Sequence, residues 1–157
     1  MATPLYTRDI LRLAASIPYL GLLDEADARS ERASAVCGSR VTVTVTVDEM
    51  GRVSGLGQEV RACALGQASA ALMGRNAIGR SAKELAAARD ALAEFLEGAR
   101  EDAGDWPGLE ALAAARAYPA RHPSILLPFE AVTEAALRAA GQDRAVSLTS
   151  SSSSSDR

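Results

Sequence analysis

The chain has 157 residues, with 17 Lys and Arg against 20 Asp and Glu, a formal net charge of −3. That balance excludes a nucleic-acid binder held by phosphate neutralisation, and no apolar run approaches the roughly 20 residues that a membrane span needs. The length suits one domain, and with aromatics at 4% the core has to be built from Leu, Val, Ile and the abundant Ala, largely in helices.

From the N-terminus, Leu5, Ile10, Leu11, Leu13 and Ala14 form an imperfect apolar stripe that predicts a helix over residues 5–16, ending before Pro18. Arg8, Asp9 and Arg12 interrupt that stripe, so no secretory signal is expected. Residues 21–39 are polar and irregular, although Ala33, Ala35 and Cys37 share the parity of one face of a short strand. Val41, Val43, Val45 and Val47 then alternate with Thr42, Thr44 and Thr46, the pattern of a half-buried antiparallel strand. Residues 48–51 supply turn chemistry, and residues 52–62 are expected to return as the hairpin partner. Val53 has the opposite parity from Leu56 and Val60, so a bulge near Gly55 and Gly57 is needed to reconcile them.

After Cys63 the period becomes helical, with Leu65, Ser69, Leu72 and Met73 on one face until Gly74. Ser81 followed by Glu84 is a capping-box pattern that opens a helix through Glu97, with Leu85, Ala88, Leu92, Phe95 and Leu96 inward and Gly98 as its stop. Residues 101–106 read as a loop and residues 108–116 as a short helix. The prolines at 119 and 123 predict an extended segment over residues 118–123. Pro128 suits the first turn of a last helix, along which Phe129, Val132, Ala135, Ala136 and Ala139 recur until Gly141. Residues 1–146 are therefore expected to form one domain, and residues 147–157, with six consecutive serines, a disordered tail.

The common enzyme signatures HExxH, GxSxG, CxxC and the P-loop are absent, and His122 is the sole histidine. Two cysteines cannot build a disulfide framework, so reduced thiols in a cytoplasmic protein are expected. Their positions are informative. Cys37 precedes the Val/Thr strand and Cys63 follows its partner, so a turn near residue 50 sets residue 37 opposite about residue 63. Cys63 also opens a helix, whose dipole and free N–H groups favour thiolate, nucleophilicity and metal ligation. The competing reading is that both are small buried hydrophobes.

At these residues the chain resembles the U-type iron–sulfur cluster assembly scaffolds, IscU, SufU and the N-terminal part of NifU. Cys37-Gly38-Ser39 before a Val/Thr strand is similar to their Cys-Gly-Asp, and Cys63 with Ala68-Ser69-Ala70-Ala71-Leu72-Met73 to their second cysteine and its Ala-Ser helix. Leu5-Tyr6, Ile10-Leu11 and Gly21 also match, and Tyr118-Pro119-Ala120-Arg121 resembles the Phe-Pro-Ala-Arg of the SufU branch, which the long segment between Cys63 and Arg121 also favours. The resemblance implies an α+β fold, a small antiparallel sheet of about three strands packed on one side by four to five helices, in accord with the local signals.

In that family three cysteines and the aspartate hold zinc or a nascent iron–sulfur cluster. Here Ser39 replaces the aspartate, and the third cysteine falls on Ser124 in a gapless match or on Pro123 after a shift of one. The family's Asp-His-Tyr in the first helix becomes Arg12-Leu13-Ala14. The metal candidates are thus Cys37, Cys63 and, more weakly, His122, with Glu59 or water to complete a set. The resemblance implies a scaffold or sulfur acceptor working with a cysteine desulfurase, an accessory protein and not an enzyme, in which Cys63 or Cys37 attacks the desulfurase persulfide. Two other functions fit the residues: a metal-free module that docks on the desulfurase or the assembly machinery, and a dithiol switch in which Cys37 and Cys63 form a reversible disulfide.

Overall fold

The Val/Thr run forms the middle strand of a three-stranded antiparallel sheet of order β1-β2-β3. The computed structural model describes residues 5–152, with side chains through residue 141. The elements are α1 (Arg8–Ala14), β1 (Ala28–Ala33), β2 (Arg40–Val47), β3 (Val53–Arg61), α2 (Ala64–Ala77), α3 (Ala82–Glu97), two 3-10 segments (Leu109–Ala117 and Pro119–Arg121) and α4 (His122–Ser152). The fold class is α+β.

β2 pairs with β1 from Ala28↔Val45 to Ala33↔Arg40, and with β3 from Arg40↔Arg61 to Thr46↔Gly55. The register then shifts to Val47↔Val53, which leaves Ser54 as the extra residue of a bulge beside Gly55. This is the irregularity that the parity of Val53 demands, and it lets Val53 and Leu56 both point inward. Asp48 closes the hairpin: its carboxylate accepts from the N–H groups of Met50 and Arg52, and its own N–H donates to the Arg52 carbonyl at 2.8 Å.

Val41, Val43 and Val45 are fully buried beneath α4, which packs on β1, β2, α2 and α3. The opposite face corrects the expectation of a half-exposed strand, because Thr42 and Thr44 are buried as well. Residues 19–23 cross that face: Gly21 N–H donates to the Gln58 carbonyl at 2.9 Å, and Leu23 N–H donates to Thr44 Oγ1 at 3.0 Å. Gly57 permits the crossing, since a Cβ there would collide with the Gly21 carbonyl and lie 2.8 Å from Thr44 Oγ1. Nothing in the alternating pattern announces this segment, whose Leu23 lies 21 residues upstream of Thr44.

α3 forms as its sequence predicts. Ser81 and Glu84 make a reciprocal capping box, and Gly98 ends the helix at φ 86. α2 runs past the expected stop at Gly74 to Ala77. Gly74 serves contact and not termination: a Cβ there would lie 2.8 Å from Pro18 Cγ and 3.0 Å from Gln58 Nε2. The loop around Trp106 is irregular as expected, yet its indole is buried, donating to the Leu72 carbonyl at 2.9 Å and meeting Phe129 edge-on at 5.2 Å.

The largest correction lies at residues 118–128. The expected extended segment is a 3-10 turn that leads directly into α4 at His122, six residues before Pro128. Pro119 opens the turn and Pro123 is the second residue of α4, positions where no helical N–H bond is needed. His122 adopts φ −58 and ψ −43 despite preceding a proline, held there by a 2.8 Å contact from its Nε2 to the Ala115 carbonyl. Pro128 is inside the helix and removes the N–H that would bond the Ser124 carbonyl. α4 also continues through Gly141, which does not take the left-handed conformation of a stop. The packing of the serine-rich tail, expected to be disordered from Ser147, lies outside the described residues.

Candidate functional site

The site is assembled from three places in the chain. The first is the tight connection between β1 and β2, where Ser34 N–H donates to the Ser39 carbonyl and Gly38 N–H to the Ser34 carbonyl, both at 2.9 Å. Gly38 takes φ 73, which a side chain would resist. The expected strand face through Ala35 and Cys37 is therefore corrected: β1 ends at Ala33, and Cys37 is exposed on a turn.

The second place is the junction between β3 and α2. Cys63 is the N-cap residue of α2 and is half-buried, as its position between a strand and a helix predicts. Continuing the pairing past Arg40↔Arg61 sets residue 38 opposite residue 63, one position from the expected partner. The third place is the start of α4. Ser69 on α2 donates to the Ile125 carbonyl at 2.5 Å and fixes this end of α4. Gly66 then admits Ser124: a Cβ on Gly66 would lie 2.5 Å from Ser124 Oγ and 2.6 Å from Ala62 Cβ.

These elements bring Cys37, Ser39, Ser124 and Cys63 into one hydrogen-bonded row. The Cys37 thiol donates to Ser39 Oγ at 3.2 Å, the two serine hydroxyls pair at 3.0 Å, and Ser124 Oγ meets Cys63 Sγ at 3.6 Å. The thiols line an open depression with Ser39, Arg61 and Gln67. Both serines are buried.

The two thiols differ in their electrostatics. Cys37 is brought down to about 7, first by the hydroxyl of Ser34 and then by that of Ser39, with little burial to oppose them. Ser34 Oγ is buried without a hydrogen-bond partner among the described residues, so its proton is available to a thiolate. At Cys63 burial is the largest influence and pushes the thiol up, but the Gly66 N–H, the Ser124 hydroxyl, the Leu65 N–H and the positive charge of Arg121 together outweigh it and hold the thiol below its ordinary value.

The weaker metal candidates are not gathered here. His122 directs Nε2 at the Ala115 carbonyl. Glu59 pairs opposite Thr42 on the outer sheet face, beside Glu31, Arg40 and Arg61. Among the described residues no group of three or more His, Cys, Asp or Glu is placed to hold a metal ion. Sequence reasoning missed Ser34 and the charge of Arg121. The only signal for Ser34 was a hydroxyl three residues before a Cys-Gly pair. Arg121 stood in a quoted motif with no role attached.

A strand turn and the starts of two helices converging on two thiols beside a small antiparallel sheet define the U-type scaffold class. Residues 5–124 match the family model of the NifU-like N-terminal domain, and the chain belongs to that family. It is 28% identical over 131 residues to the iron-sulfur cluster assembly scaffold protein IscU of Thermotoga maritima, covering 83% of this chain and 92% of that protein. It is also similar to the crystal structure of a NifU-like N-terminal protein from Brucella abortus, with TM-score 0.80, 38% identity and coverage of 87% and 95% of the two chains. A scaffold protein for the SUF system from Fervidobacterium islandicum, at TM-score 0.77 and 22% identity over 84% and 96% of the chains, shares the fold.

Proposed function

We propose that this chain acts in iron–sulfur cluster assembly as a cytoplasmic sulfur acceptor and scaffold that takes sulfur from a cysteine desulfurase. The convergence of Cys37, Ser39, Cys63 and Ser124 carries this reading. These residues stand where the family resemblance implies Cys, Asp, Cys and Cys, and the contact made by Ser124 favours the gapless match over Pro123. The similarity to a scaffold protein of Thermotoga maritima supports it.

The donor set does not fit a resident zinc ion. A closed tetrahedral site needs four protein ligands, whereas this row offers two thiols and two hydroxyls that must lose a proton to compete, and His122 is turned to Ala115. No step is therefore routed through zinc. The thiols act as nucleophiles, and a nascent cluster is cargo that would rest on Cys37 and Cys63. The chain is an accessory protein: the desulfurase generates the persulfide, and a thiolate here takes its outer sulfur. Exposure puts Cys37 first in that role.

The second reading is a metal-free module that docks on the desulfurase or the assembly machinery. It is favoured by the lack of any third His, Cys, Asp or Glu gathered with the cysteines among the described residues. Incubation of the full chain with a cysteine desulfurase and radiolabelled L-cysteine without oxygen, with zinc, iron and acid-labile sulfide measured alongside, separates the two. Label bound to the chain and lost in Cys37→Ser supports the acceptor. A stable complex with the desulfurase and no label on the chain supports the module.

A further inference from the structure

The two thiols are unequal in a way that a shared ligand role does not use. Cys37 is exposed on a turn, next to the exposed Val36, where a macromolecular donor can reach it. Cys63 is half-buried at the base of the same depression, packed against the core at the start of α2. Between them stand the paired hydroxyls of Ser39 and Ser124, neutral groups that neither compete as nucleophiles nor repel an approaching thiolate. A carboxylate and a third thiolate at those places would do both.

We propose that this pair does more than accept sulfur: Cys63 resolves a persulfide formed on Cys37 and releases its outer sulfur as hydrosulfide. The inference rests on the acceptor reading above and deepens it.

In the first step the Cys37 thiolate attacks the outer sulfur of a persulfide donor. A bond forms between Cys37 Sγ and that sulfur, the bond to the donor's inner sulfur breaks, and the donor leaves as a thiolate while the transferred sulfur keeps its proton. In the second step the Cys63 thiolate attacks Cys37 Sγ. The Sγ–Sγ bond forms, the bond to the outer sulfur breaks, and hydrosulfide departs with the electron pair. The outer sulfur is reduced by two electrons, and the two cysteines supply them by becoming a disulfide. A dithiol reductant then returns the pair to thiols for another round.

Three features of the site serve the second step. Ser124 Oγ, in contact with Cys63 Sγ and paired with Ser39 Oγ, which the Cys37 thiol also meets, joins the attacking thiol to the turn that carries its target. Cys63 is the N-cap residue of α2, at the positive end of the helix dipole. Cys37 is exposed on its turn, and a Cβ on the neighbouring Gly38 would meet nothing within 4 Å, so no packed side chain stands against that part of the turn.

The test uses the full chain, reduced and free of oxygen, with one equivalent of glutathione persulfide, followed by thiol blocking, intact mass under non-reducing conditions and a sulfide assay. The expected result for the unaltered chain is about one hydrosulfide released per chain, a mass two hydrogens lighter, and a peptide pair joined through Cys37 and Cys63. Cys63→Ser should instead retain one extra sulfur on Cys37, with hydrosulfide release about tenfold slower, and Cys37→Ser should do neither. An unaltered chain that keeps the extra sulfur with Cys63 free, or passes it to Cys63 without a disulfide, overturns the inference and leaves the acceptor reading standing. No extra sulfur and no hydrosulfide from any of the proteins overturns both. The mass of the unaltered chain needs no variant, so a folding defect in Cys63→Ser cannot mask the outcome.

Discussion

The reactivity of Cys37 is set by hydroxyls and not by burial, a distinction that pH exposes. Its thiolate is stabilised by Ser34 and Ser39, and the group titrates about 7. Alkylation by iodoacetamide should therefore rise with pH through about 7 and level off above it. Ser34→Ala removes the largest favourable contribution, so the midpoint should move up toward that of an ordinary thiol and labelling at pH 7 should slow. Peptide mass spectrometry over a pH series reads both curves, and coincident curves would remove Ser34 from this role. At this scale the sequence carried the two cysteines and the chemistry of Cys63, because a strand end and a helix start are local patterns. It did not carry Ser34, whose hydroxyl matters only because the turn closes on itself at Gly38.

At the scale of elements, the site depends on how closely α4 approaches α2. Gly66 leaves the space that Ser124 occupies. Gly66→Ala would force a methyl into contact with Ser124 Oγ and Ala62 Cβ, and overpacking of this kind costs about 1–3 kcal/mol. The expected outcome is a lower denaturant midpoint together with slower labelling of Cys63 at pH 7, because Ser124 no longer helps to hold its thiolate. A loss of stability with unchanged Cys63 labelling would mean that Ser124 does not tune this thiol. α3 and the β2–β3 hairpin were legible because a capping box, a terminal glycine and strict alternation are complete within a few residues. The start of α4 was not. Pro119, Pro123 and Pro128 read as breakers, yet the first two sit where no helical N–H bond is needed, and the start of α4 is held by contacts from Ala115 to His122 and from Ser69 to Ile125 that no local pattern shows.

For the molecule as a whole, stability rests on the layer between the sheet and α4. Phe129 of α4 is fully buried and packs edge-on against Trp106, whose indole is tied to α2. Phe129→Ala should cost about 3–5 kcal/mol and loosen the Trp106 loop, which thermal unfolding and tryptophan fluorescence would register together. The ion pairs, such as Arg52 with Glu84 at 2.7 Å and Arg32 with Glu134 at 3.3 Å, lie at the surface. Moderate salt should accordingly leave the unfolding midpoint nearly unchanged, and a large drop in midpoint would show that those pairs matter more than their exposure implies.

By itself the sequence determined the α+β class, the hairpin with its bulge, the capped helix α3 and the placing of two thiols at adjoining ends of the sheet. All of these follow from periodicity and local capping, which need only neighbouring residues. The tertiary structure decided that the threonine face is covered, that α4 begins at His122, that His122 turns to Ala115, and that Ser124 stands between Ser39 and Cys63. Each of these depends on how closely segments distant in the chain can pack, a matter of shape that no local pattern encodes.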